Sequence, residues 1–340
     1  LIVRARGARS TTLLGLGRFD EALADAQAAY DRLPADAPAR LRASAAFALA
    51  QVQAHLWNLD RAVVLWGDAL DHYRKAGLQI GVAATTKQRM DTWLALGELD
   101  KAAADGTAAL ALFERTGSAG TTPELFARLA LIEARRGNAA RARELAARAE
   151  PQASVDPRRR FTENDLGLTS LYLGDYDGAV SRFTRVHEQA IALGDLEYAW
   201  RALHMRGRAR LASGSQAAAE RDLREAVATL ERMRRTLPDA GLRASFMSDR
   251  RDVYATLAEA TLRRPGAADD ARALDAMSIA EQSRARSLVE QLAEADARKS
   301  DPRLERIRAE EAAWSSRLTA LQQRVLALPE AERPAALADL

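Results

Sequence analysis

No stretch of this chain alternates hydrophobic and polar positions with a period of two for long enough to predict a β-strand. Proline and glycine instead divide the chain into segments of helical length. An incomplete hairpin comes first, with its first helix within 1–15, and further hairpins follow at about 39–76, 79–116, 122–150, 158–193 and 195–236. We therefore predict an all-α fold.

A column of predicted turn residues recurs with spacings of 40, 40, 40, 37 and 40, at Gly17, Trp57, Gly97, Gly137, Gly174 and Gly214. Alanine stands five residues after each of them, at Ala22, Ala62, Ala102, Ala142, Ala179 and Ala219. A second column follows seven residues later, at Ala29, Ala69, Ala109, Ala149, Val186 and Ala226. Glycine tolerates positive φ where a helix ends, and alanine lets two helices approach closely. The pattern predicts six repeated hairpins.

Acidic residues follow the turn column where the second helix of each hairpin begins. There a carboxylate can cap free N–H groups and face the positive end of the helix dipole. The residues are Asp20, Asp60, Asp100 and Asp177. Trp57 breaks the glycine column, and we expect it either to cap its hairpin or to be an exposed anchor for a partner.

The segment GDYDGAVSRF at 174–183 resembles the second-helix signature of the tetratricopeptide repeat, and Leu166 and Gly167 resemble its first-helix Leu-Gly pair. Elsewhere that pair is approached at Leu49-Ala50 and Leu129-Ala130 but not at Arg89-Met90. The resemblance implies an α-solenoid, a right-handed superhelix of about six hairpins. Its period is near 40 residues, where the family has 34, so the helices are expected to be longer. We assign this array to 1–237.

The frame changes after Leu237, where 242–263 and 268–295 predict a longer hairpin around Arg264-Pro265-Gly266. Residues 238–297 resemble the segment that precedes a caspase-like CHAT domain in bacterial tetratricopeptide proteins. The matching run is Ala280, Glu281, Arg284, Ala285, Arg286 and Leu288. This resemblance implies that the array regulates a C-terminal effector domain beyond Leu340.

Hydrophobic positions between 298 and 340 change to alternating steps of three and four residues, which Glu311 interrupts once. They are Leu304, Ile307, Trp314, Leu318, Leu321, Val325 and Leu328. This heptad pattern predicts a linker helix, followed by the start of a further helix, and 304–328 is a candidate for self-association.

Composition argues against most chemistry. The formal net charge is only +3, from 50 basic and 47 acidic residues, and cysteine is absent. No run approaches the ~18 apolar residues of a membrane span. The histidines His55, His72, His187 and His204 have no metal-ligand spacing, and no phosphate-binding loop is present. We expect a cytoplasmic binding protein without catalytic residues, cofactor or metal, and neither nucleic acid nor membrane as a partner.

In a superhelix of stacked hairpins the first helices line the inner groove. The polar residues that the resemblance places there are Gln51, His55, Lys87, Asp91, Arg128, Arg135, Asn164, Arg201, His204 and Arg208. They do not form the Lys/Asn pattern by which some tetratricopeptide domains hold a C-terminal carboxylate. The later part of the groove is more basic, so we expect a protein or an acidic or mixed peptide as the partner.

Two other functions remain open from sequence. The array can be a structural spacer or self-association module that uses the heptad segment. It can also be the ligand-sensing part of a bacterial transcriptional regulator, in which the array controls a DNA-binding or ATPase domain.

Overall fold

The computed structural model describes residues 2–15, 18–34, 36–117, 122–153, 160–236, 250–266 and 270–282, and every regular element in these ranges is a helix. The chain divides into two compact units, 1–226 and 227–340.

In the first unit the helices pair as consecutive hairpins. They are α1 (Ile2–Gly15), α2 (Phe19–Asp31), α3 (Ala39–His55), α4 (Leu59–Lys75), α5 (Gln79–Leu96), α6 (Leu99–Arg115), α7 (Thr122–Arg135), α8 (Ala139–Ala153), α9 (Arg160–Tyr172), α10 (Tyr176–Ala192), α11 (Leu196–Ala212) and α12 (Gln216–Arg235), the last of which continues into the second unit.

The described hairpin turns of the first unit close in the same way. At Gly97, where φ is 78°, the glycine N–H donates to the Leu94 carbonyl and the N–H of Glu98 donates to the Trp93 carbonyl. This is a Schellman turn, in which a left-handed residue satisfies the last carbonyls of the helix. Gly137, Gly174 and Gly214 have the same positive φ. The predicted turn column is confirmed at these positions, and Gly17 lies outside the described residues.

Turns between hairpins have this geometry too. Gly77, Gly117 and Gly194 all have positive φ, and the N–H groups of Gly77 and Leu78 repeat the same two hydrogen bonds. The turn therefore recurs about every 20 residues, twice within each 40-residue repeat that the sequence predicts. Gly77, Gly117 and Gly194 form a second column, 20 residues after Trp57, Gly97 and Gly174.

Trp57 adopts the glycine conformation, with φ of 59°, and is the only non-glycine residue with positive φ in the described ranges. Its N–H donates to the Ala54 carbonyl and the N–H of Asn58 donates to the Gln53 carbonyl, as in the glycine turns. The side chain is 66% exposed. It therefore does not fill the hairpin corner, and a large side chain stands in solvent on a strained turn.

Both small-residue columns are fully buried in the first unit. The buried positions are Ala22, Ala62, Ala102, Ala142, Ala179, Ala219, Ala29, Ala69, Ala109, Ala149, Val186 and Ala226. Gly167 shows how closely the helices approach, because a Cβ atom there would lie 2.9 Å from the Phe183 ring. The predicted role of these columns in close helix packing is confirmed.

The acids after the turns lie in the first helical turn, as at Asp60 and Asp100, but they are not the N-cap residues. The N-caps there are Asn58 and Glu98, and neither side chain makes a cap hydrogen bond. The expectation that these acids cap the helices is therefore corrected. An acid in the first turn still faces the helix dipole favourably.

A pair of residues 16 positions apart joins the two helices in several hairpins. In three of them an arginine on the first helix pairs with a buried aspartate on the second: Arg9–Asp25, Arg89–Asp105 and Arg206–Asp222. The same positions hold Leu49–Leu65 and Leu129–Leu145 in two other hairpins, and all four leucines are buried. This explains why Arg89 departs from the expected leucine: its hairpin replaces an apolar pair with an ion pair.

The described residues of the second unit include 227–236, α13 (Asp252–Leu262) and a further helix, α14, at 270–282. Tyr254 is buried, and its hydroxyl donates to the Glu231 carboxylate at 2.6 Å. Gly266 turns the chain with φ of 79° between the two helices. The helices lie within the hairpin predicted at 242–263 and 268–295. The heptad segment 304–328 and most of the CHAT-like run lie outside the described residues, and the domain boundaries remain predictions.

Candidate binding site

First helices connect the hairpins of the first unit. Every extensive contact between hairpins in the described ranges involves a first helix: α1 packs on α3 and α7 on α9, while α5 and α11 pack on the second helices α4 and α10. We call this side, formed by α1, α3, α5, α7, α9 and α11, the first-helix face. All ten residues predicted to line a groove belong to these helices. Their role in binding remains a prediction.

Five charged side chains on α5, α7 and α9 form what we call the charged cluster: Lys87, Asp91, Glu124, Arg128 and Asp165. The Lys87 ammonium lies 2.8 Å from the Glu124 carboxylate. The Nε atom of Arg128 lies 3.4 Å from Asp91 and 3.0 Å from Asp165. The structure thus brings together three predicted groove residues and adds Glu124 and Asp165, which sequence analysis missed.

The charged cluster is strongly desolvated at its inner end. Burial raises the pKa of Asp165 to about 6, and Arg128 only partly offsets it, while Asp91 and Glu124 raise it further. Burial also lowers the pKa of Arg128, but Asp165 and Asp91 outweigh this effect and raise it overall. Asp165 is 97% buried, since its side chain is only 3% exposed, whereas the Asp91 and Arg128 side chains are about one third exposed.

Aromatic rings border the cluster where α9 and α11 begin. Phe161 and Tyr198 pack edge to face with centroids 5.0 Å apart. The Arg160 guanidinium lies 4.9 Å from the first ring and 5.1 Å from the second, and it pairs with Asp195 at 2.7 Å. Burial raises the pKa of Tyr198. Sequence analysis missed this group, although Phe161 directly follows the basic run 158–160.

The α11 part of the face carries Arg201 and Arg208, and the expectation that this part is more basic remains a prediction. Arg201 pairs with Glu197 at 2.8 Å and lies over the Trp200 ring. Arg208 is exposed, and its Nη1 contacts the Met205 sulfur at 3.7 Å. His204 is buried and stacks on Trp200, and burial, with a smaller contribution from Arg208, lowers its pKa to about 4. His204 is therefore neutral at pH 7 and packs beneath the exposed arginines.

The remaining predicted groove residues lie at the margins. His55 Nδ1 is 2.8 Å from the Gln51 carbonyl on α3, one turn earlier. Arg135 is exposed and donates to the Leu94 carbonyl at 3.4 Å. Asn164 makes a side-chain hydrogen bond with Asp165, so it supports the charged cluster from α9.

A cavity of about 360 Å³ opens between α1 and α3 on the first-helix face. Its lining is mostly small or apolar: Val3, Gly7, Ala8, Thr11, Leu41, Ser44, Ala45, Phe47 and Ala48, with Arg40 and Tyr73 at its edge. Sequence analysis missed it, because we interpreted small residues only as packing positions.

No group of acidic or histidine side chains in the described residues can hold a metal ion. Among the helices searched, none combines the length and apolar character needed to cross a membrane.

No protein-family model matches this chain, and no curated protein matches it. Among solved structures it is similar to a tetratricopeptide repeat protein from Parabacteroides merdae, with 16% identity, a TM-score of 0.52 and coverage of 85% of this chain and 99% of that one. It is also similar to the Rap conjugation gene regulator of the plasmid pLS20, solved in complex with the Phr* peptide, with 13% identity, a TM-score of 0.57 and coverage of 84% and 73%.

A third similar structure is a signal-transduction ATPase with numerous domains from Pyrococcus horikoshii, which carries a tetratricopeptide repeat sensor. The identity is 13% and the TM-score 0.58, over 85% of this chain and 43% of the ATPase. At these identities the likeness concerns the fold. The chain is an array of tetratricopeptide-type helical hairpins, an α-solenoid.

Proposed function

We propose that this array binds an extended peptide or protein segment along the first-helix face of α5, α7, α9 and α11. The observation that carries the proposal is the continuous band of polar and aromatic side chains across these four helices. Such a band combines ring surfaces with charges that orient a ligand, as peptide-binding surfaces do. The similar Rap regulator, whose structure was solved in complex with the Phr* peptide, supports a peptide as the class of ligand.

The basic part of the band directs the acidic portion of the ligand. Arg201 and Arg208 both extend from α11 and are exposed, so a ligand carboxylate can reach them without breaking the core. Arginine binds carboxylates with two parallel hydrogen bonds and stacks on aromatic rings. We therefore propose a peptide of mixed charge whose acidic group contacts α11.

The test uses a defined probe, a synthetic library of fluorescent decapeptides with random sequence. The double variant Arg201→Glu/Arg208→Glu should lose at least about tenfold in affinity, equal to about 1.4 kcal/mol, because two cations become anions. Arg74→Glu/Arg141→Glu is the matched control, since both arginines are exposed on the second helices α4 and α8. Equal losses in both variants, or none in either, would contradict the proposal.

We also propose that in the whole protein the array acts without catalysis of its own and regulates a C-terminal effector, a caspase-like CHAT domain, in the cytoplasm. The resemblance at 280–288 supports this proposal. A sequence after 340 with a strand-rich segment carrying a histidine and then a cysteine would agree with it. A helix-turn-helix there would instead favour the transcriptional-regulator alternative.

The heptad pattern at 304–328 supports a second candidate function, in which the array is a spacer in a self-associating protein. Light scattering on chains that end at 298 and at 340 tests it. A larger association number for the longer chain is expected under this proposal, and the same number for both would remove it.

A further inference from the structure

The charged cluster contains one more negative charge than positive. Its carboxylates are Asp91, Glu124 and Asp165, and its cations are Lys87 and Arg128. Lys87 and Glu124 neutralise each other at 2.8 Å. Arg128 is then shared by two aspartates from different hairpins. An excess charge in a desolvated position is costly unless another positive group approaches it.

Hydrogen bonding around the two aspartates is incomplete. Asp91 Oδ1 and Asp165 Oδ2 are both buried atoms, and the structure directs no hydrogen-bond donor at either of them within the described residues. Arg128 Nε lies 3.4 Å from Asp91 Oδ1 and 3.0 Å from Asp165 Oδ2, so one guanidinium nitrogen is shared between two carboxylates. A buried carboxylate ordinarily accepts hydrogen bonds, so the negative charge of these two aspartates is only partly compensated.

The cluster reaches solvent through its outer members. The Glu124 side chain is 38% exposed and that of Asp91 31%, while that of Asp165 is only 3% exposed. Asp165 adds negative potential next to Asp91, a partly exposed carboxylate that a ligand can touch. Burial makes this potential stronger than that of the same charges in water. Phe161 and Tyr198 provide aromatic surface on the same side, near α9 and α11.

From this geometry we infer that the cluster is a subsite for one cationic group of the ligand, an ammonium or a guanidinium, held by Asp91 next to the buried Asp165. This inference rests on the proposed function and refines it. The ligand then carries a basic group for α5 and α9 and an acidic group for Arg201 and Arg208 on α11. The two requirements fix the order of the ligand charges along the first-helix face.

Capped fluorescent decapeptide pools test the subsite when the fifth position is fixed as Lys, Arg, norleucine or Glu and the others are random. A further norleucine pool has a free amino terminus, which separates a side-chain cation from a terminal one. We expect the wild-type chain to bind at least one cation-bearing pool about tenfold more tightly than capped norleucine, about 1.4 kcal/mol. Asp165→Asn should reduce this preference to less than about threefold, which corresponds to ~0.7 kcal/mol.

Two further variants keep the test decisive. Asp91→Asn should also reduce the preference, and it covers the case in which Asp165→Asn fails to fold. Asp71→Asn should retain it, because Asp71 pairs with Arg74 on the second helix α4. If groove-dependent binding occurs with equal affinity for the Lys, Arg, free-amine and norleucine pools, the subsite is wrong and the proposed function stands. If no pool binds, both are wrong.

Discussion

Asp105 and Asp165 are both buried aspartates next to an arginine from another helix, yet they are held very differently. Asp105 accepts two hydrogen bonds from Arg89, at 2.7 and 2.8 Å, inside the α5–α6 hairpin. Asp165 lies 3.0 Å from Arg128 on the first-helix face, and its Oδ2 accepts no hydrogen bond. A completed pair stabilises a hairpin. An incomplete one leaves charge available to a ligand.

The completed pairs also show what the fold tolerates. Arg206 and Arg210 both donate to Asp222 in the α11–α12 hairpin, whereas Leu129 and Leu145 occupy the equivalent positions in α7–α8. An apolar pair and a fully bonded ion pair are thus interchangeable at this place. Replacing a buried ion pair by apolar residues is often neutral or stabilising, while removing one partner is strongly destabilising.

The largest expected effect comes from breaking a completed pair. Arg89→Leu leaves Asp105 buried without its two donors, so the free energy of unfolding should fall by roughly 3–5 kcal/mol. Hydrogen exchange of the α5 and α6 amides, together with thermal unfolding, measures the loss. A reduction below about 1 kcal/mol would show that Asp105 finds other solvation and that the pair is not structural.

The control for this change is the double variant Arg89→Leu/Asp105→Leu, which copies the Leu129–Leu145 pair of the α7–α8 hairpin. It should recover most of the lost stability or exceed the wild type, because no buried charge remains. A double variant as unstable as Arg89→Leu would mean that the α5–α6 interface cannot accommodate leucine. The two pair types would then not be interchangeable.

The incomplete pair should respond in the opposite direction. Asp165→Asn removes a buried carboxylate whose pKa is raised to about 6, so at pH 7 the free energy of unfolding should increase. The gain should be about 1–3 kcal/mol, because each unit of pKa shift corresponds to ~1.4 kcal/mol. Urea unfolding measures it. A destabilised variant would show that Asp165 serves the fold, as Asp105 does, and would weaken the contrast between the two sites.

Acid titration distinguishes the two sites further. The pKa of Asp165 is about 6 in the folded chain and 3.8 ordinarily, so between these two pH values the folded chain binds a proton that the unfolded chain does not. The contribution of Asp165 to stability therefore rises as pH falls through this range. His204 has the opposite effect, because burial lowers its pKa from 6.5 to about 4. As pH falls through this range, the unfolded chain is protonated at His204 before the folded chain is, so the free energy of unfolding decreases. Asp165→Asn should therefore steepen the loss of stability between pH 7 and 4, and His204→Gln should flatten it. Unchanged slopes in unfolding experiments at several pH values would contradict both assignments.

Much of this fold could be predicted from spacing alone, because turns and close packing each demand a particular small residue. Gly97 and Ala102 signal their roles regardless of their surroundings. The site could be predicted only in part. Lys87, Asp91 and Arg128 follow from first-helix positions, but Asp165 reads as an ordinary polar residue beside Leu166. Its burial depends on how α9 packs on α7, whose Arg128 lies 3.0 Å from the Asp165 carboxylate, and no local pattern encodes that arrangement.

The smallest expected effect concerns the turns of one leucine hairpin and one ion-pair hairpin. Trp57 in α3–α4 and Gly97 in α5–α6 have the same left-handed φ, of 59° and 78°. Trp57→Gly should raise the free energy of unfolding by roughly 0.5–1 kcal/mol, because strain at a non-glycine residue exceeds the entropy that glycine adds to the unfolded chain. Gly97→Ala should lower it by about 1 kcal/mol, since the open space around this Cβ leaves only backbone strain. Trp57→Ala separates strain from the loss of an exposed side chain: it keeps the strain and should leave stability nearly unchanged. If it stabilises as much as Trp57→Gly, the exposed indole and not the backbone is unfavourable, and thermal unfolding of the three variants decides between them.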